Sequence, residues 1–143
     1  MTIHMRAISC LTLATTLLVS GCIPYPVYKT LQPAARMTVL SYANEPLLQA
    51  EVTLIADAFP ACCEMGRSTK LTLANGVASF DSVREWTMEV VFLHGSLAYY
   101  WNWCVRKEGY VTYFTRGSSN EFQSTMVVKL EAGASIPCPD SFR

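Results

Sequence analysis

The chain has 143 residues, 51% of them hydrophobic and 15% charged, with eleven basic residues balancing eleven acidic ones, and six cysteines. That length suits one modest domain and excludes a TIM barrel, a kinase or a two-domain enzyme. A net charge of zero provides no electrostatic reason to bind nucleic acid.

The N-terminus reads as an address. Residues 1–6 carry one Arg and one His, and residues 7–19 run apolar and small with no charge. A short positive region before a brief apolar run is a secretion pattern, too short to span a bilayer. The run ends at Leu18-Val19-Ser20-Gly21-Cys22. This resembles the bacterial lipoprotein box, with a branched apolar residue at −3, small residues at −2 and −1, and Cys at +1. Small side chains let a peptidase reach the bond after Gly21, and only the Cys22 thiol can carry a thioether-linked diacylglyceryl group. Several acyl chains together give stable anchoring. In Gram-negative lipoproteins an Asp after the acylated Cys tends to retain the chain at the inner membrane, and here that position is Ile23. The resemblance therefore implies an outer-membrane lipoprotein, anchored through Cys22 and facing the periplasm.

Cleavage after residue 21 leaves a mature chain with ten basic and eleven acidic residues, a net charge of about −1, and one histidine, His94. Residues 22–33 hold three prolines and two tyrosines. Proline cannot donate to a strand ladder and biases its predecessor away from helix, so this segment reads as an extended tether. Residues 34–143 are expected to form the folded domain with a C-terminal tail.

The domain reads as strands, because apolar residues alternate in short runs and show no sustained helical period. The first expected strand is Arg36–Tyr42, closed by a turn at Asn44-Glu45-Pro46. Leu48–Ala56 follows, with Ala50, Val52, Leu54 and Ala56 on one face. Residues 57–68 read as a loop. Thr69–Leu73 is expected to pair with Val77–Val83 across Asn75-Gly76, whose residues tolerate the positive φ of a tight hairpin. Trp86–Leu93 places Trp86, Met88, Val90 and Phe92 together and turns Glu89 outward. Leu97–Arg106 puts Tyr99, Trp101 and Trp103 on one face. Tyr110–Thr115 and Thr125–Glu131 complete eight strands, the number expected of an all-β sandwich. Residues 132–143 read as a tail held by Cys138.

The order of these elements resembles carboxypeptidase regulatory-like domains. Asn44-Glu45-Pro46-Leu47-Leu48-Gln49-Ala50-Glu51-Val52-Thr53-Leu54 follows their G-x-P-L-x-G-A-x-V-x-L run, with Asn44 and Gln49 in place of the glycines. Residues 72–80 follow their T-D-x-x-G-x-x-x-F hairpin through Gly76, with Leu73 in place of the Asp. Lys107-Glu108-Gly109-Tyr110 matches their K-x-G-Y turn, and Met126–Leu130 suits the closing strand. The resemblance covers residues 36–131. It implies a transthyretin-like Greek-key β-sandwich of seven to eight strands.

Cys10 leaves with the signal peptide and Cys22 takes lipid, so Cys62, Cys63, Cys104 and Cys138 remain. An even count outside the cytosol reads as disulfides. A bond between adjacent Cys62 and Cys63 needs a strained ring. Each is therefore expected to pair separately with Cys104 or Cys138, in an order left open. The alternative is a redox or metal site, but there is no Cys-x-x-Cys and His94 is the sole mature imidazole. No metal and no cofactor is expected.

Catalytic patterns are sparse. There is no Gly-x-Ser-x-Gly elbow, His-Glu-x-x-His or phosphate-binding glycine loop. One transthyretin-like family, the hydroxyisourate hydrolases, uses several histidines and a C-terminal Tyr-Arg-Gly-Ser. Here Thr115-Arg116-Gly117-Ser118 is led by Thr and lies far from the end. The densest feature is aromatic, with nine of sixteen aromatic residues between Trp86 and Phe114. Most of these fill a core, while Tyr100, Asn102 and Tyr113 are candidates for an exposed recognition surface.

Three functions follow. The first is a non-catalytic interaction or structural module at the bacterial envelope, with the membrane as one partner through the anchor and an envelope protein as another. The second is a small-ligand or carbohydrate binder using the aromatic strands. The third is a small hydrolase around His94.

Overall fold

The computed structural model describes residues 24–59, 64–90, 98–116 and 122–139. Among these the fold is all-β, with nine strands: β1 Pro24–Gln32, β2 Ala35–Ser41, β3 Glu51–Phe59, β4 Glu64–Leu71, β5 Val77–Phe80, β6 Val83–Val90, β7 Ala98–Arg106, β8 Tyr113–Phe114 and β9 Thr125–Leu130. They form a two-stranded ribbon β1-β6, a three-stranded sheet β5-β2-β9 and a four-stranded sheet β4-β3-β7-β8. β9 runs parallel to β2, with Met37 beside Met126 and Val39 beside Val128.

The three- and four-stranded sheets share one core, as in a β-sandwich. Met37, Val39, Ala78, Phe80, Val128 and Leu130 come from one sheet, and Val52, Leu54, Trp103 and Val105 from the other. Alternation places them there, because residues two apart on a strand share a face. The expected row Ala50, Val52, Leu54 and Ala56 is buried throughout. Trp103 sits at the centre, edge-on to Phe80 at 5.5 Å and stacked on Phe122 at 5.7 Å.

At β3 and β7 the other face of the four-stranded sheet is buried as well. Thr53, Ile55, Asp57, Asn102 and Cys104 lie on it, all nearly inaccessible to solvent. Residues 131–139 cross this sheet as a strap. Val111 N donates to Glu131 O (2.8 Å), Gly133 N to Gly109 O (2.9 Å), and Ile136 N to Thr112 Oγ1 (2.9 Å). Thr112 Oγ1 donates back to Ile136 O (2.7 Å). Cys138 is then bonded to Cys104 on β7, and Arg67 Nη2 on β4 donates to Pro139 O (2.8 Å). The strap thus runs from the β8 side of the sheet to β4, the opposite edge.

Several expected elements differ. Residues 24–32, read as a tether, are extended but paired with β6, since β6 supplies a ladder that prolines at alternate positions do not block. Within the segment read as a loop over 57–68, β3 continues to Phe59 and β4 starts at Glu64, with a register shift between Ala56 and Asp57. This irregularity breaks the alternation that a sequence pattern relies on. The Asn75-Gly76 turn forms, with Gly76 N donating to Leu73 O (2.9 Å) and Leu73 N to Val77 O (3.0 Å). It links two sheets, however, and closes no hairpin, because β4 ends at Leu71. Thr72 turns back to the Leu47–Ala50 turn instead: its Oγ1 donates to Leu47 O (2.5 Å) and accepts from Ala50 N (2.8 Å). Of Tyr110–Thr115 only two residues are strand, and Tyr110 bridges Ala132. Glu89, expected outside, is 4% exposed, while Trp86 and Met88 are 71% and 65% exposed.

Four described residues have positive φ: Asn44 (64°), Gln49 (56°), Gly76 (74°) and Gly109 (81°). At Gly76 the requirement is also one of space, since a Cβ would meet Val39 O at 2.6 Å and Pro46 Cβ at 3.1 Å.

Candidate functional site

Cys22 lies outside the described residues, as do Cys62, Cys63 and His94. The first described residue, Pro24, already belongs to β1, so one residue separates Cys22 from ordered strand.

The expected cysteine pairing is corrected at Cys104 and Cys138, which bond to each other with a Cα–Cα distance of 6.0 Å. The reason is the strap. Its hydrogen bonds to Thr112 deliver residue 138 over the centre of β7, where the alternation of that strand aims Cys104 away from the core. The sequence separation is 34, worth about 3–4 kcal/mol in the chain-entropy account.

The expected recognition surface does not assemble. Asn102 is 1% exposed and faces the strap side of the sheet beside Ile55. Tyr113 points to the other side, packs on the core and donates to Met126 Sδ at 4.0 Å. Burial raises the Tyr113 phenol above its ordinary value of 10.0. Tyr100 is half-buried, paired with Asp57 across β3. The three residues are divided between two faces. Alternation assigns Tyr100 and Asn102 to one side and Tyr113, opposite Val105, to the other.

A small cavity of about 120 Å³ does open beside these strands, lined by Trp101, Asn102, Trp103, Thr115, Arg116, Phe122, Gln123 and Met126. It forms where the chain leaves β8 and loses its ladder to β7. Thr115 still holds β7 there, its N donating to Trp103 O (2.9 Å) and its Oγ1 accepting from Trp103 N (2.8 Å). Thr115 of the Thr-Arg-Gly-Ser stretch therefore ties the β7 edge. Both indoles are committed to backbone, Trp101 Nε1 donating to Leu31 O (3.0 Å) and Trp103 Nε1 to Gln123 O (3.1 Å). Phe122 lies against both rings, at 5.8 Å from Trp101 and 5.7 Å from Trp103. Arg116 stacks its guanidinium over Phe114 at 5.4 Å. The cavity is well below the 300–1,000 Å³ of ordinary ligand pockets and would admit a few waters or one small group. Phe122 and Gln123 were not legible as lining residues, because a loop contact carries no periodic signal.

Among the described residues no three His, Cys, Asp or Glu side chains converge as metal ligands, and no helix is long and apolar enough to cross a membrane. No family model, curated protein or solved structure matches this chain.

The feature left most exposed is on β6. Trp86 and Met88 alternate with half-buried Thr87 and buried Glu89, so the two large apolar side chains share the open face of the strand. Thr87 Oγ1 donates to Val27 O at 3.5 Å, and Arg84 Nε to Thr30 Oγ1 at 3.1 Å, so β1 and β6 run antiparallel.

Proposed function

We propose that the chain is a lipid-anchored envelope protein, held at the outer membrane through Cys22, whose sandwich serves as a non-catalytic interaction or structural module on the periplasmic side. The observation that carries this reading is the Leu18-Val19-Ser20-Gly21-Cys22 box after an uncharged apolar run. Membrane attachment then resides in acyl chains, and the folded domain is free to meet partners at a fixed height. A disulfide between Cys104 and Cys138 suits an oxidising compartment.

The finer fold reading is a transthyretin-like, carboxypeptidase regulatory-like sandwich. Its support is conformational. The four described residues with positive φ, at 44, 49, 76 and 109, occupy the four positions that the family motifs fill with glycine. Pro46 and Leu47 of the same motif dock on β2 through Leu40 and Val39. The carbohydrate-binding alternative loses Asn102 to burial, and Tyr100 and Tyr113 lie on opposite faces of the sheet.

Cys22→Ser tests the functional reading in cells. It should move the chain from the membrane fraction to the soluble periplasmic fraction without changing its thermal stability. Equal membrane retention of the variant would overturn the lipid-anchor reading.

A further inference from the structure

We infer that the exposed face of the β1–β6 ribbon is a lipid-contact surface, which lays this strand pair along the bilayer beside the acylated cysteine. The inference rests on the lipid-anchor reading and deepens it. Two peptide units join Cys22 to Pro24, a reach of about 7 Å at most. Acyl chains on Cys22 enter hydrocarbon, so the start of β1 is held at headgroup depth with no slack. Whatever the ribbon turns outward there must meet lipid.

The side chains on that face match this environment. Pro24 and Pro26 are exposed on β1, alternating with half-buried Tyr25 and Val27. Trp86 and Met88 are exposed on β6, alternating with half-buried Thr87 and buried Glu89. In the antiparallel pair set by the Val27–Thr87 contact, the two prolines, Trp86 and Met88 fall on one side. The four positions themselves carry no charge. The next exposed residues of the same rows are Tyr28 and Arg84, the guanidinium stacked over the phenol ring at 5.4 Å, an aromatic and a cation that suit headgroup depth. Tryptophan is likewise enriched at a membrane interface. Met88 adds an unbranched apolar chain that fits among mobile acyl tails. A second copy adding a strand is the weaker occupant, because proline has no N–H to offer along an edge.

The test is made on the acylated full chain in vesicles of phosphatidylethanolamine with a minority of phosphatidylglycerol. Tryptophan emission is read with lipids brominated near the headgroup end of their acyl chains, and Trp86→Phe supplies the Trp86 component by difference. Trp101 and Trp103 are half-buried and buried, so they report little. The Trp86 component should be quenched by bromolipid and shielded from aqueous iodide. In the soluble Cys22→Ser chain, Trp86→Ser with Met88→Ser should weaken vesicle partitioning by roughly tenfold. Both side chains are mostly exposed, so neither change disturbs the core. Iodide access to Trp86 equal to that of the free chain would overturn the inference, as would shielding without bromolipid quenching, the result expected of a second copy. The mass of the N-terminal peptide in the same sample separates the two readings. An acylated Cys22 without bromolipid quenching sinks the ribbon inference alone. Quenching with an unmodified Cys22 sinks the anchor and leaves the ribbon standing.

Discussion

The central strands of the four-stranded sheet, β3 and β7, are buried on both faces, and the two faces are built on different chemistry. Toward the three-stranded sheet, β3 and β7 present Val52, Leu54, Trp103 and Val105. Toward the strap they present Thr53, Asp57, Asn102 and Cys104 around Ile55. The first face is excluded from water by another sheet, and its stability comes from apolar area and close packing. The second is crossed, among the described residues, by the strap, which hydrogen bonds and one covalent bond hold in place. Covering a polar face takes directed contacts, which is why Thr112, Arg67 and Cys138 matter there.

The largest effect should come from the packed face. Trp103→Ala removes the ring between Phe80 and Phe122 and should cost about 3–5 kcal/mol by denaturant titration. On the strap face, Cys138→Ser should cost about 3–4 kcal/mol and should expose amides of β7 to hydrogen exchange before those of β2. A loss as large at β2 would mean that the strap supports the whole sandwich and not one face. Thr112→Ala removes both contacts to Ile136 and should cost about 1–3 kcal/mol, with Cys104–Cys138 intact in peptide mapping.

Smaller effects sharpen the comparison. Gln49→Gly relieves a side chain at positive φ and should stabilise by about 0.5–1 kcal/mol, seen as a raised melting temperature. Tyr113 belongs to the packed face, and its folded-state pKa lies above the unfolded value of 10.0. The stability tied to its neutral form is full below about pH 10 and declines as pH rises through the folded value. Tyr113→Phe should therefore resist alkaline unfolding better than the wild type in that range, while the two respond alike to acid.

The packed face was largely legible from sequence, because a half-buried strand writes its period into adjacent residues. The row from Ala50 to Ala56 and the β2 and β9 segments emerge from alternation alone. The turns at 44–46 and 75–76 were legible from their Asn, Pro and Gly residues, while the positive φ of Gln49 was not, because that side chain disfavours it. The strap face was not. A chain that buries polar residues under a distant segment leaves no local pattern, so Asn102 read as a surface residue and Cys104 was paired with the wrong partners. β6 failed for the same reason in reverse. Its apolar row of Trp86 and Met88 is the exposed one, because what a two-stranded ribbon buries depends on its neighbours and not on its own period.

The candidate surface for recognition followed the same division. Tyr100 and Asn102 alternate away from Tyr113, so a stretch rich in aromatics was split by the pleat. The proposed anchor rests on a short sequence box, which enzymes read as extended chain and which needs no fold.

That signal carries the functional reading, and one measurement tests it most directly. Mass spectrometry of the N-terminal peptide from the membrane fraction should show a chain beginning at Cys22, with residues 1–21 removed and acyl groups on the cysteine. A chain that retains Met1–Gly21, or begins elsewhere with an unmodified Cys22 thiol, would contradict it.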